Sequence, residues 1–128
     1  DLTGPQLARA EAKRTEIYHR MRAFMSRYEY FVLPVNQVLP FSVDLDYPRE
    51  INGVKMNTYI DWQKTAYFIS AMGNPAISVP AGFTDSGLPV GVQIVGGHRQ
   101  DVAVLQLAHA FEQATQFGLK RPPMCTVA

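Results

Sequence analysis

The first part of the chain has its apolar residues at helical spacing. Residues 3–6 combine a Thr at the N-cap position, a Pro in the first turn and a Gln three residues after the Thr, which is the capping-box arrangement. Beyond them, apolar residues recur on one face at Ala10, Ile17, Met21, Phe24 and Tyr28. The pattern predicts a long helix that ends near Tyr28 and has one side to bury.

Three apolar segments predict strands. Residues 29–34 form a nearly continuous apolar run closed by Pro34, which is typical of a buried strand in a mainly parallel sheet. Residues 76–80 and 90–95 are joined by the turn residues Asp85, Ser86 and Gly87, and they predict two further strands. Gly91 lies inside the last strand, where the missing side chain allows another segment to approach closely.

The remaining segments predict one long loop and two helices. Residues 35–56 are rich in Pro and Asp and contain the turn dipeptide Asn52-Gly53, so we expect a surface loop of the kind that often borders an active-site cleft. A helix is predicted from Asn57 or Thr58 to about Met72, with aromatic residues around much of its circumference. A last helix is predicted from Asp101 to about Gln116.

The order of these elements indicates a part of a larger α/β protein. About three strands are too few for a sheet that is covered on both faces, so one helix is expected to lack a packing partner. No composition shift or linker divides the chain, and we therefore treat residues 1–128 as a single segment without an internal boundary.

Composition narrows the classes of function. Apolar residues make up 47% of the 128 residues and charged residues 18%, as in packed globular proteins. The formal net charge of +1 gives no reason to expect nucleic acid or a membrane as partner, and no apolar run approaches the roughly 20 residues of a membrane span. With Cys125 as the one cysteine, no internal disulfide can form, and we expect a cytoplasmic protein.

The histidines and the basic residues have simple interpretations. His19, His98 and His109 fall on separate predicted elements without the spacing of metal ligands, so we expect no metal and no cofactor. The basic residues of the first helix are interleaved with glutamates, which favours a solvated face with local ion pairs over an RNA-binding surface.

Several segments together resemble the C-terminal part of the amidase signature family of amide hydrolases. They are GNPAISVPAGF, GLPVGVQIVG, LQLAHAFEQAT and RTEIYHRMRAFMSRYEYFVLPV, and the resemblance extends from about Ala10 to Pro123. It implies an α/β fold, in which this chain forms the C-terminal part of an α/β/α sandwich: a few strands of a mixed sheet with packed helices.

The resemblance also implies a catalytic triad that we do not find in this chain. The family uses a serine nucleophile, a second serine with a cis peptide bond and a lysine as base, with the serines in a Gly/Ser-rich segment. The serines here are Ser26, Ser42, Ser70, Ser78 and Ser86, and the lysines are Lys13, Lys55, Lys64 and Lys120. None matches the family's sequence context, so we assign no catalytic residue.

The resemblance further implies that the segment before GNPAI borders the substrate cleft. The candidate pocket residues are Tyr59, Asp61, Trp62 and Thr65, and Asp61 would pair with a substrate amine or ammonium. The alternative is that Tyr59 and Trp62 are core aromatic residues, and that Asp61 occupies a first helical turn, where the helix dipole favours an acidic side chain.

Two hypotheses about function follow. In the first, the chain is the non-catalytic C-terminal part of an amidase that cleaves the C–N bond of a small-molecule amide, and its partner is the remainder of the amidase domain. In the second, it is a stand-alone interaction module on an amidase-derived scaffold that docks through an uncovered sheet face. In either case we expect the isolated chain to self-associate through exposed apolar surface.

Overall fold

The computed structural model describes residues 1–121, which contain three helices and five strands. In chain order the main elements are α1 (Gly4–Met25), β1 (Tyr30–Pro34), β2 (Glu50–Ile51), β3 (Val54–Lys55), α2 (Lys64–Met72), β4 (Ala76–Phe83), β5 (Pro89–Gly96) and α3 (Asp101–Thr115). Short 3₁₀ turns over Asp61–Gln63 and Phe117–Leu119 precede α2 and follow α3. Cys125 lies outside the described residues.

The central element is an antiparallel sheet in the order β1-β5-β4. The sequence predicted that residues 29–34 belong to a mainly parallel sheet. This prediction is wrong within this chain, because β1 pairs antiparallel with β5. A tight turn is the reason for the β4–β5 pairing: Thr84 N donates to Leu88 O (2.8 Å), and Gly87 adopts a φ of 82°. A short connection of this kind joins antiparallel neighbours, whereas parallel strands need a longer crossover.

β4 continues beyond the proline at which the sequence predicted its end. The register passes through Pro80↔Gly91, shifts between Pro80 and Gly82, and resumes at Gly82↔Val90. A proline is tolerated in a strand that pairs on one side, as β4 does here, since the missing N–H can face away from the neighbouring strand.

Helices cover both faces of this small sheet, contrary to the sequence expectation. On one face, Met21 of α1 and Ile69 of α2 pack with Val95. On the other face, Ala108 of α3 packs with Val79 and Ile94. The expectation failed because α1 and α2 share a face, so three helices suffice for two layers. Adjacent residues of β5 thus point into two separate apolar clusters.

The loop of residues 35–56 includes a two-stranded hairpin. Asn52 and Gly53 have φ values of 49° and 76°, which confirms the turn predicted from this dipeptide. The helix predicted from residue 57 or 58 starts later: its first turn is 3₁₀, and α2 begins at Lys64 and ends at Met72, where Gly73 caps it with a φ of 71°.

Candidate functional site

A cavity of about 440 Å³ lies where the loop after β1 meets the start of β5. Its walls are residues 34–41, Trp62 and residues 89–91. Small-molecule sites in proteins usually measure roughly 300–1,000 Å³ and are mostly apolar with a few polar groups. This cavity fits that description, since Asn36 and Gln37 contribute amides to an otherwise apolar lining.

Side chains tie the cavity loop to α2. Gln37 Nε2 donates to the main-chain oxygens of Trp62 (2.6 Å) and Asp61 (3.2 Å). Thr65 Oγ1 donates to Val35 O at 2.6 Å. These bonds hold the loop across the start of α2, so the cavity wall has a defined position without a regular strand or helix.

Gly91 lets this loop approach the sheet closely. A Cβ at this position would lie 3.2 Å from both Ser78 Oγ and Val79 O, and 3.4 Å from Val35 Cγ2. The close approach expected from the glycine in the strand is therefore confirmed.

Trp62 forms the aromatic wall of the cavity. Its ring lies 5.5 Å from that of Phe41 and 6.1 Å from that of Tyr59, with interplanar angles of 86° and 88°. Such edge-to-face contacts favour fixed ring positions. The indole Nε1 is buried and has no hydrogen-bond partner among residues 1–121. The tryptophan is thus positioned by ring contacts.

Asp61 caps the turn that leads into α2. Its Oδ2 accepts hydrogen bonds from the backbone N–H groups of Asn57 (2.8 Å) and Thr58 (3.0 Å). The bond from Asn57, followed by the bond from Thr58, lowers the pKa of this carboxyl below its ordinary value of 3.8. Asp61 is therefore ionised at neutral pH, and one of its oxygens is engaged by the backbone.

The lowered pKa of Asp61 gives a test of this cap. The ionised carboxylate of Asp61 stabilises the folded state, because its pKa is lower there than in the unfolded chain. Its contribution to the free energy of unfolding is therefore complete above pH about 4 and declines as the pH falls through the folded-state pKa. We expect Asp61→Ala to reduce the urea midpoint at pH 7 and to reduce it less at pH 2–3. Asp61→Asn is the matched control, since it retains an acceptor oxygen but cannot ionise. A wild-type pH slope in both variants would contradict the role given to this carboxylate.

The four sequence-predicted pocket residues take different positions. Trp62 lines the cavity, whereas Tyr59 packs on the Trp62 ring and is half exposed. The side chains of Asp61 and Thr65 form hydrogen bonds with the backbone of Asn57 and Val35, respectively. Contact of these four residues with a substrate stays a prediction. Sequence reasoning missed Gln37, although a polar residue within an apolar run between two prolines was a usable signal.

Among residues 1–121, no serine hydroxyl forms a hydrogen bond with a lysine or histidine side chain. Hydrogen bonds of serine hydroxyls in this part of the chain go to the carbonyls of Ala23 and Ala66 and to the side chains of Asp44 and Thr84. No three His, Cys, Asp or Glu side chains converge as metal ligands within the same range. No helix among these residues has the length and hydrophobicity to span a membrane.

An acylamidase and an amidotransferase subunit are among the curated proteins similar in sequence to this chain, and both are longer than the chain. The chain is 37% identical over 122 residues to an acylamidase of Rhodococcus erythropolis, and the match covers 94% of the chain and 25% of that protein. It is 35% identical over 114 residues to a glutamyl-tRNA(Gln) amidotransferase subunit of Geobacillus kaustophilus, and that match covers 89% of the chain and 22% of the relative. The chain thus spans about a quarter of these relatives.

Solved structures give the same assignment of fold. A 6-aminohexanoate cyclic dimer hydrolase matches with a TM-score of 0.78 at 21% identity, over 96% of this chain and 27% of that one. The glutamyl-tRNA(Gln) amidotransferase subunit from Thermotoga maritima matches with a TM-score of 0.66 at 26% identity, over 84% and 22%. These matches confirm the α/β fold expected from the sequence. The amidase family model matches residues 3–105, and the chain belongs to the amidase family.

Proposed function

We propose that this chain forms the C-terminal part of an amide hydrolase and supplies sheet strands and a pocket wall to it. The observation that carries the proposal is the 37% identity to an acylamidase over 122 residues that amount to 25% of that enzyme. The chain matches only a quarter of that enzyme. This supports a role in which the chain forms one side of the active site and the remainder of the domain carries the reacting groups.

The reaction proposed for the complete domain is acyl transfer to serine followed by hydrolysis. The serine hydroxyl oxygen bonds to the amide carbonyl carbon, the C–N bond breaks, and the amine leaves with a proton delivered through the lysine. Water then cleaves the acyl ester, which releases the carboxylic acid and regenerates the serine. The serine and lysine belong to the remainder of the domain, as does the Gly/Ser-rich loop that stabilises the oxyanion.

Within this reaction, the cavity beside Trp62 would hold the apolar part of a small-molecule amide. Trp62 would offer a flat wall, Tyr59 packs edge-to-face on the Trp62 ring, and Thr65 keeps the Val35 carbonyl and its loop in position. Asp61 is ionised at neutral pH, and its second carboxylate oxygen would pair with an amine or ammonium group of the substrate.

The proposal includes partners and location. The principal partner is the remainder of the amidase domain, and the setting is cytoplasmic, which suits a chain without an internal disulfide. Without that partner the chain self-associates through apolar side chains near β1 and its loop, among them the exposed Val32 and Val43.

Reconstitution in trans tests the proposed function. The chain is mixed with the acylamidase polypeptide of Rhodococcus erythropolis from which the matched 122-residue segment has been removed. We expect the chain to sediment as an oligomer alone, to form a 1:1 complex with that polypeptide, and to restore hydrolysis of a chromogenic anilide. Neither component is expected to be active by itself.

The acylamidase's own segment, supplied in trans, is the matched positive control. The proposal is wrong if that segment restores binding and activity while this chain does neither. Activity of the chain alone would equally contradict it, since the reacting groups would then have to lie among its own residues.

A further inference from the structure

The apolar stripe of α1 continues well beyond the part that packs on this chain. Its positions are Leu7, Ala10, Arg14, Ile17, Met21 and Phe24, which alternate steps of three and four residues. This is the spacing of a seam along which two helices pack side by side, with one charged residue in place of an apolar one. We refer to these six positions as the α1 seam.

Met21 is the buried residue of the seam, and the seam residues on both sides of it are exposed. Met21 is buried against α2 and the sheet, whereas Ile17 and Leu7 remain 40% and 57% exposed. Residues 4–17 form about 21 Å of helix, and every residue in this segment is exposed. A helix in water derives most of its stability from packing of an apolar face, so this segment receives little of that stabilisation from residues 1–121.

A groove continues the seam between α1 and α2. Its cavity of about 680 Å³ is lined on α1 by Ile17, Arg20 and Phe24 and on α2 by Phe68 and Met72. Phe68 is 54% exposed although it lies in a helix that packs on the sheet. The groove and the exposed end of the seam together form one apolar track.

Positive charge borders this track. Arg9, Lys13 and Arg20 follow one another at steps of four and seven residues along one side of the seam. Arg9 and Arg20 form no ion pair within residues 1–121, and Glu16 beside them is bound by Lys13 at 3.1 Å. Within the seam, Arg14 is paired with Glu11 at 3.2 Å. An occupant of the track therefore meets the cations Arg9 and Arg20, unpaired within residues 1–121, and the Lys13–Glu16 ion pair along this border.

This charge argues against an antiparallel second copy of the chain as the occupant. Two α1 helices packed antiparallel along their seams would bring their basic borders together, and like charges across a helix pair are destabilising. A helix with carboxylates along its border would form favourable pairs at the same positions.

We propose that the α1 seam and the groove beside it dock a helix whose apolar stripe is bordered by carboxylates. The occupant is assigned to the remainder of the amidase domain, which in the acylamidase makes up the three quarters of the protein that this chain does not span. That assignment rests on the proposed function. The chemistry of the docking surface rests on the residues of α1 and α2.

Two synthetic helical peptides test the docking surface. Both carry the same Leu and Ala seam over three heptads, and one has Glu and the other Lys at every flanking position. Fluorescence anisotropy with the full chain measures both affinities at 50 and 500 mM salt. We expect the Glu peptide to bind at least tenfold more tightly than the Lys peptide at low salt, and the difference to shrink at high salt. Equal affinities, or no binding of either peptide, would overturn the proposal.

Matched variants locate the binding surface. Arg20→Glu is expected to reduce the preference for the Glu peptide at least fivefold, and Arg22→Glu, which lies on the other side of α1, to change it less than twofold. Circular dichroism establishes that both variants remain helical. Equal losses in the two variants would overturn the assignment, as would an α1-dependent homodimer in sedimentation. No amidase polypeptide enters this assay, so its failure is distinct from a failure of reconstitution.

Discussion

Replacing Ile94 with alanine is expected to lower the free energy of unfolding by about 2–5 kcal/mol, the range of large-to-small substitutions in protein cores. Ile94 is 2% exposed and packs between Val79 of the neighbouring strand and Ala108 of α3. Its truncation leaves a cavity that the surrounding helix and strands cannot fill without moving. Urea unfolding followed by circular dichroism measures the change.

The expected loss of stability in Ile94→Ala is large because this chain has a small core. Among residues 1–121, eight apolar residues are buried, and single domains are usually stable by about 5–15 kcal/mol. Ile60→Ala is the matched control, because Ile60 is 56% exposed and its alanine variant should change stability by about 0.5 kcal/mol. If both variants unfolded at the same urea concentration, the β5–α3 interface would not be the core of the chain.

Gly96→Ala is expected to destabilise the fold by about 1–3 kcal/mol, the usual range for overpacking. A Cβ at this position would clash with Cγ2 of Val104, which is itself buried in α3. Neither partner can retreat easily, because β5 lies in the centre of the sheet and α3 is anchored on it. Urea unfolding followed by circular dichroism measures this loss of stability.

Gly97→Ala provides the control at the adjacent residue. There the Cβ would meet the Gln100 side chain, which is flexible at its end and exposed, so it can move aside. We expect a change of about 0.5 kcal/mol or less. If Gly97→Ala lost as much stability as Gly96→Ala, the requirement for glycine at both positions would come from the backbone conformation and not from the contact with Val104.

Most helices and strands of this fold could be predicted from local patterns. The capping box at residues 3–6, the Asn52-Gly53 turn and the strand on either side of Asp85–Gly87 all depend on near neighbours in sequence. The pairing of the strands and the packing of helices on the two faces of the sheet could not be predicted in the same way. They depend on which faces of α1, α2 and α3 meet the sheet, and an apolar face does not specify its partner.

The close approach at Gly91 was predictable from a glycine inside a strand. Trp62 and the segment around it were predicted as pocket residues from the resemblance to amidases; Trp62 lines the cavity, and its contact with a substrate stays a prediction. The cavity itself joins residues 34–41 with residues 89–91, which are about 50 residues apart in sequence. Gln37 acquires its role through hydrogen bonds to Asp61 and Trp62, and no local pattern encodes contacts at that separation.

The sequence by itself determined the family, the α/β class and the positions of most elements, because motifs and periodicities are properties of neighbouring residues. It also determined the apolar stripe and the basic border of α1. The tertiary structure alone decided that β1 and β4 pair with the same strand in antiparallel fashion, and that α1 shares a sheet face with α2. It alone left residues 4–17 exposed within the part of the chain that the structure describes, since the end of a helix is exposed or buried only through what lies beside it.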